Sequence, residues 1–158
     1  MEVYAFKQPD DFSIEKEDNS QKVISNMKMS FTRVPEFIAG NKMFLAPRLY
    51  KLWTNKLPKA EMRRLDYYFR YPFIKTDTTV YQLPEGYTIE ALPKNKNLSF
   101  EYGSYSGNFW YNTAQNAVYC AAKLELTQLK IPAAKYTSLK KFFDEVMKDE
   151  AQRIVIKK

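Results

Sequence analysis

Cys120 is the only cysteine of the chain, and none of its 158 residues is a histidine. Cys-His and Ser-His nucleophile pairs need an imidazole to take the proton, and zinc sites need imidazoles or several thiolates, so both classes are excluded by count. One cysteine also forbids an internal disulfide. Ser-Lys, Thr or carboxylate chemistry stays arithmetically open, but no pattern in the sequence asks for it. Cys120 falls in the row Val118, Cys120, Ala122, Leu124, Leu126, where alternation makes it an apolar strand residue and an inert thiol rather than a nucleophile. The four glycines, Gly40, Gly86, Gly103 and Gly107, have neither dinucleotide nor phosphate-loop spacing and read as turn residues. Asp10-Asp11 and Glu15-Lys-Glu17-Asp18 lack the alternating oxygen ligands and central glycine of a calcium loop. Asn97-Leu98-Ser99 matches a glycosylation acceptor, which has meaning only in a secreted eukaryotic protein. The expectation is a chain with no catalytic residues, no metal and no cofactor.

Binding chemistry has better candidates. In Phe109-Trp110-Tyr111, a strand would turn Trp110 away from both neighbours, so one face packs a core and the other offers an aromatic outward. Trp110 then either docks on a protein or sugar, or packs across strands. Lys51, Lys56, Lys59, Arg63, Arg64 and Arg70 form the densest basic cluster. It would line phosphates if folded onto one face, and is otherwise a solvated surface. The net charge of +7 argues little for nucleic acid, because residues 1–70 carry 13 basic and 9 acidic side chains and the remainder 12 and 9. No basic tail exists. The interface candidates are Trp53 and Trp110 as aromatic anchors, with Arg63 and Arg64 as a charged rim.

These residues need elements to hold them. A length of 158 residues, 45% of them hydrophobic and 16% aromatic, suits one globular domain with a real core. Val23, Met27, Met29 and Phe31 recur with period two, and Phe12 and Ile14 precede them across the turn-forming 17–20, which predicts a hairpin. A short strand is expected at 43–45. Residues 46–66, with Pro47 and Pro58 around Trp53, predict no regular element. From Tyr67 onward the pattern predicts strands over 67–73, 76–83, 87–92, 98–105, 108–112 and 117–131, with a bulge or break near Gln128 where the apolar parity switches. Leu139, Phe142, Phe143, Val146 and Met147 form a single helical stripe, predicting a helix over about 137–149 with Thr137 as N-cap. Its acids fall late and its lysines early, against the macrodipole, so packing must hold it. A closing strand at 154–156 follows. The fold expected is mainly β: a single antiparallel β-sandwich over 1–158, immunoglobulin-like, with one C-terminal α-helix packed on it.

Leu83-Pro84-Glu85-Gly86-Tyr87 with Leu92-Pro93, then Phe100-Glu101-Tyr102-Gly103-Ser104-Tyr105, then Tyr136 to Phe143 before Ile154-Val155-Ile156, together resemble the C-terminal domain of bacterial transglutaminase-like proteins. The resemblance is good over 70–158 and plausible from Gly40. It implies an accessory β-sandwich excised from a multidomain, exported protein whose papain-like core carries the Cys, His and Asp. Nothing catalytic carries over to a chain without histidine. The implied role is to dock on, or present substrate to, that core. The alternatives are a carbohydrate- or cell-surface-binding module using Trp110, and a non-specific, salt-sensitive binder of nucleic acid or anionic surfaces using the basic cluster. The resemblance implies a periplasmic or extracellular parent. The sequence itself turns polar after six residues and shows no secretory signal, which reads as a cytoplasmic chain or a domain cut from a longer precursor.

Overall fold

The structure is a computed structural model that describes residues 10–16, 23–28, 34–59 and 63–158. The chain divides into two compact units, residues 1–34 and 35–158. In the first, Asp11–Lys16 (β1) pairs antiparallel with Val23–Lys28 (β2), with Phe12 opposite Met27 and Asp11 opposite Lys28. This is the hairpin that the alternation predicts, and its pleat sets Phe12, Ile14 and Met27 on one face, exposed. The predicted turn at 17–20, and Met29 and Phe31, lie outside the described residues.

The second unit runs Phe37–Ala39 (β3), Lys42–Leu45 (β4), Tyr67–Tyr68 (β5), Phe73–Gln82 (β6), Thr88–Ala91 (β7), Lys96–Phe100 (β8), Gly103–Asn112 (β9), Ala117–Leu126 (β10), Lys130–Ile131 (β11), Tyr136–Glu150 (α1) and Ile154–Lys157 (β12). It is mainly β, every ladder is antiparallel, and the sheets are open rather than closed into a barrel. The larger sheet has the order β6-β10-β9-β8 and the smaller one β3-β4-β12-β7; β5 and β11 form a short third pair. Among the described residues, no helix is long and apolar enough to cross a membrane.

The large sheet buries one face. β10 pairs along its whole length with both neighbours, from Ala117 opposite Gln82 and Asn112 to Leu126 opposite Phe73 and Gly103. Its inward row is the one read from the sequence. Val118 and Cys120 pack with Phe109 against Leu45, Ile154 and Ile156 of the small sheet. Leu124 and Leu126 pack against Leu139, Phe142, Phe143 and Val146 of α1 and against Leu52 and Trp53. The helical stripe thus faces the sheet as its spacing requires. Phe143 lies between the Trp53 ring, at 4.1 Å, and Phe69, at 5.8 Å.

Several boundaries differ from expectation for local reasons. The strand expected over 67–73 is only the pair Tyr67–Tyr68, and β6 begins after Pro72, whose ring removes a ladder donor. The strand expected over 98–105 is split by a tight turn at Glu101-Tyr102, with Phe100 opposite Gly103, so 103–112 is one continuous strand. Gly107 is therefore no turn residue. A Cβ there would lie 2.6 Å from Asp149 Oδ2, so only hydrogen fits. Gly40 and Gly86 are turn residues, with φ of 59° and 81°. β10 ends at Leu126 and Ile131 joins β11, the break foreseen near Gln128. Thr137 is not the N-cap of α1. A 3-10 turn at Ala133–Lys135 winds the chain before the helix, Lys135 occupies the cap position without a side-chain bond, and Thr137 falls in the first turn.

Candidate functional site

Alternation along β6, β10 and β9 turns every second side chain to the outer face of the large sheet. Tyr119 stands opposite both Val80 and Trp110, so an apolar row crosses three strands. The Trp110 and Tyr119 rings lie nearly parallel, 9° apart with centroids separated by 5.1 Å. Trp110 is 44% exposed, while Phe109 and Tyr111 on either side pack into the core beneath. Amides border one end of the row: the Tyr119 hydroxyl donates to Gln115 Oε1, Asn112 Nδ2 donates to the same oxygen at 2.9 Å, and Gln82 Nε2 donates to the Gln115 carbonyl at 2.7 Å. Elsewhere this face carries Thr76, Thr78, Ser104 and Ser106, the exposed Ile74, and the ion pair of Lys123 with Glu125 at 2.9 Å. An aromatic surface of this kind can stack on and exclude water from a partner.

The other interface candidates do not join Trp110. Trp53 is buried in the core under α1, where its indole Nε1 donates to the Asn55 carbonyl at 2.6 Å, and so it presents nothing outward. Its ring is needed between Phe73 and Phe143. Arg63 is half-buried with its guanidinium 4.5 Å from the Tyr136 ring centroid and 5.1 Å from that of Tyr67, a cation-π packing role. Arg64 is exposed, as are Lys51, Lys56, Lys59 and Arg70. Trp110 projects from the opposite face of β9 to Tyr105 and Phe109, so the four residues form no single patch.

A polar cluster absent from the sequence reading lies inside the fold. Arg48 and Glu150 are each 1% exposed, and Arg48 Nη1 meets Glu150 Oε1 at 2.5 Å. The Leu52 amide donates to Glu150 Oε2 at 3.0 Å, so one carboxylate holds both ends of the 48–52 strap. The Tyr105 hydroxyl donates to Asp149 Oδ2 at 2.7 Å and approaches Glu150 Oε1 at 3.2 Å. Asp77 Oδ2 lies 3.7 Å from Arg48 Nε. Burial raises the Glu150 pKa, opposed by Arg48 and the Leu52 amide. Burial, then the bond to Asp149, raises that of Tyr105. The Cys120 thiol is pushed up to about 12, chiefly by burial. Arg48, Tyr105, Asp149 and Glu150 are buried, and the Glu150 carboxylate fastens the irregular strap to the C-terminus of α1. Among the described residues, no three Asp, Glu or Cys side chains are grouped to hold a metal.

The sequence matches, over residues 41–156, the family model DUF3858, a domain of unknown function with a solved structure. The chain belongs to this family. No curated protein matches it. The fold is similar to the crystal structure of “a putative protease from Parabacteroides distasonis ATCC 8503”, with a TM-score of 0.61 at 10% identity over 74% of this DUF3858 chain. The match takes in 23% of that protein, so the chain corresponds to under a quarter of its length.

Proposed function

We propose that this DUF3858 chain is a non-catalytic accessory domain that docks, through the outer face around Trp110, on the catalytic core of a larger transglutaminase-like polypeptide. The observation that carries the reading is the row Val80, Tyr119 and Trp110, exposed at Val80 and Trp110, on a sheet whose other face packs against the small sheet and α1. An apolar row on a complete sheet contributes nothing to this domain's own core and is what a neighbouring domain covers. The motif resemblance over 70–158 supports a transglutaminase-like parent. A likeness to only 23% of a longer protein accords with an accessory piece. In this reading the sheets form an immunoglobulin-like sandwich in which α1 covers the half of the large sheet that the small one leaves open, and the parent works in the periplasm or outside the cell.

A glycan or cell-surface ligand is the second reading, favoured by the parallel Trp110-Tyr119 pair beside the amides of Gln82, Asn112 and Gln115. Titrating the domain with the separately expressed core, and in parallel with soluble glycans and duplex DNA, separates the readings. Saturable binding to the core, weakened at least tenfold by Trp110→Ala, supports docking. Glycan binding lost in the same variant, with none to the core, supports the second reading. DNA binding that vanishes at physiological salt is charge attraction alone.

A further inference from the structure

An open groove of about 450 Å³ runs between α1 and the edge strand β8, a volume in the range of ligand sites. β8 pairs with β9 on one side only, and among the described residues no strand adds to the other. Four consecutive residues, Leu98 to Glu101, line the groove. Side chains from both faces of a strand reach one groove only at the strand's edge, so the groove lies along the unpaired N–H and C=O groups of β8. The opposite wall is one helical stripe: Ser138, Lys141, Phe142 and Glu145, spaced by three and four. Phe100 and Phe142 supply an apolar contact, with ring centroids 5.2 Å apart.

Charge gives the groove a sign. Lys135 meets Glu101 at 2.6 Å at one end of β8, and Lys96 meets Glu145 at 2.9 Å at the other. Lys148 also pairs with Glu145, at 2.5 Å. Lining the groove itself, Lys135 and Lys141 stand with Glu101 and Glu145, and Lys96 and Lys148 add two positive charges at its rim; Lys141 has no carboxylate within ion-pair distance among the described residues.

We propose that this groove binds an extended acidic peptide segment by strand addition to β8. The peptide backbone pairs with the free edge, an apolar side chain rests on Phe100 and Phe142, and a carboxylate meets Lys141. The site is separate from the Trp110 face and does not depend on its role. The test is an NMR titration of the isotope-labelled chain with a blocked pentapeptide of alternating glutamate and valine, a lysine-valine counterpart, and a backbone N-methylated form. Expected are saturable amide shifts confined to residues 96–101 and 138–145 with the glutamate peptide, about tenfold weaker in Lys141→Glu and unchanged in Trp110→Ala, with little binding of the other two peptides. The proposal is overturned by absence of saturable shifts at millimolar glutamate peptide, by equal binding of the lysine or N-methylated peptide, by shifts centred elsewhere, or by shifts of these residues on protein dilution alone, which would make the occupant a second copy.

Discussion

Glu150 holds a buried guanidinium with one oxygen and a backbone amide with the other, so the Arg48-Glu150 pair is where one side chain matters most to stability. Removing one member of a buried pair strands the other charge, at about 3–5 kcal/mol. Arg48→Met should lose that much in urea denaturation at pH 8. The loss should shrink in acid: burial raises the Glu150 pKa and Arg48 opposes that rise, so without Arg48 the folded-state pKa climbs further, and the penalty is present above it and lost as pH falls and the carboxylate is protonated. A cost under about 1 kcal/mol, equal at pH 5 and pH 8, would contradict the pairing. The sequence carried one trace of this cluster. Asp149 and Glu150 sit at the helix end that disfavours acids, and two carboxylates placed there need a cation. It could not name Arg48, which lies 102 positions away in a stretch with no periodicity. Trp53 misled for the same reason, since an irregular segment has no pattern that separates a buried ring from an exposed one.

Helix α1 was legible because five apolar residues repeat at helical spacing, and the inward row of β10 because five alternate. Phe143→Ala removes a fully buried ring packed on Trp53 and Phe69 and should cost about 3–5 kcal/mol by chemical denaturation, whereas a loss under about 1 kcal/mol would mean that the helix does not pack there. The helix is also tied to β8 by Glu145, whose pKa is held at about 2 by Lys148 first and Lys96 second. A depressed folded pKa means that the contribution is present above the unfolded value, near 4.5, and is lost as pH falls toward 2. The Glu145 carboxyl signal should titrate with a midpoint near 2; an ordinary carboxylate midpoint would contradict these ion pairs. Strand ends were less legible than strand centres. The β8-β9 turn at Glu101-Tyr102 contains neither Gly nor Pro, while Gly107, which looks like a turn, marks the close approach of Asp149.

At the scale of the whole molecule, the two tryptophans have opposite fates. Trp53 belongs to the core beneath α1, and Trp110 stands on the outer face of the sheet. Cys120 is buried and no imidazole is present to pair with it, so the proposed role rests on a surface. Periodicity made that surface legible at Trp110, but the partnership with Val80 and Tyr119 needed the register of three strands, which spacing along one segment does not fix. Fluorine NMR of the chain labelled with 5-fluorotryptophan tests the claim most directly, because Trp53 and Trp110 give one resonance each. On addition of the unlabelled catalytic core, the account predicts that the Trp110 resonance shifts to saturation while that of Trp53 stays in place. A Trp110 resonance that does not move at saturating core, or that moves only with a glycan, would contradict docking through this face.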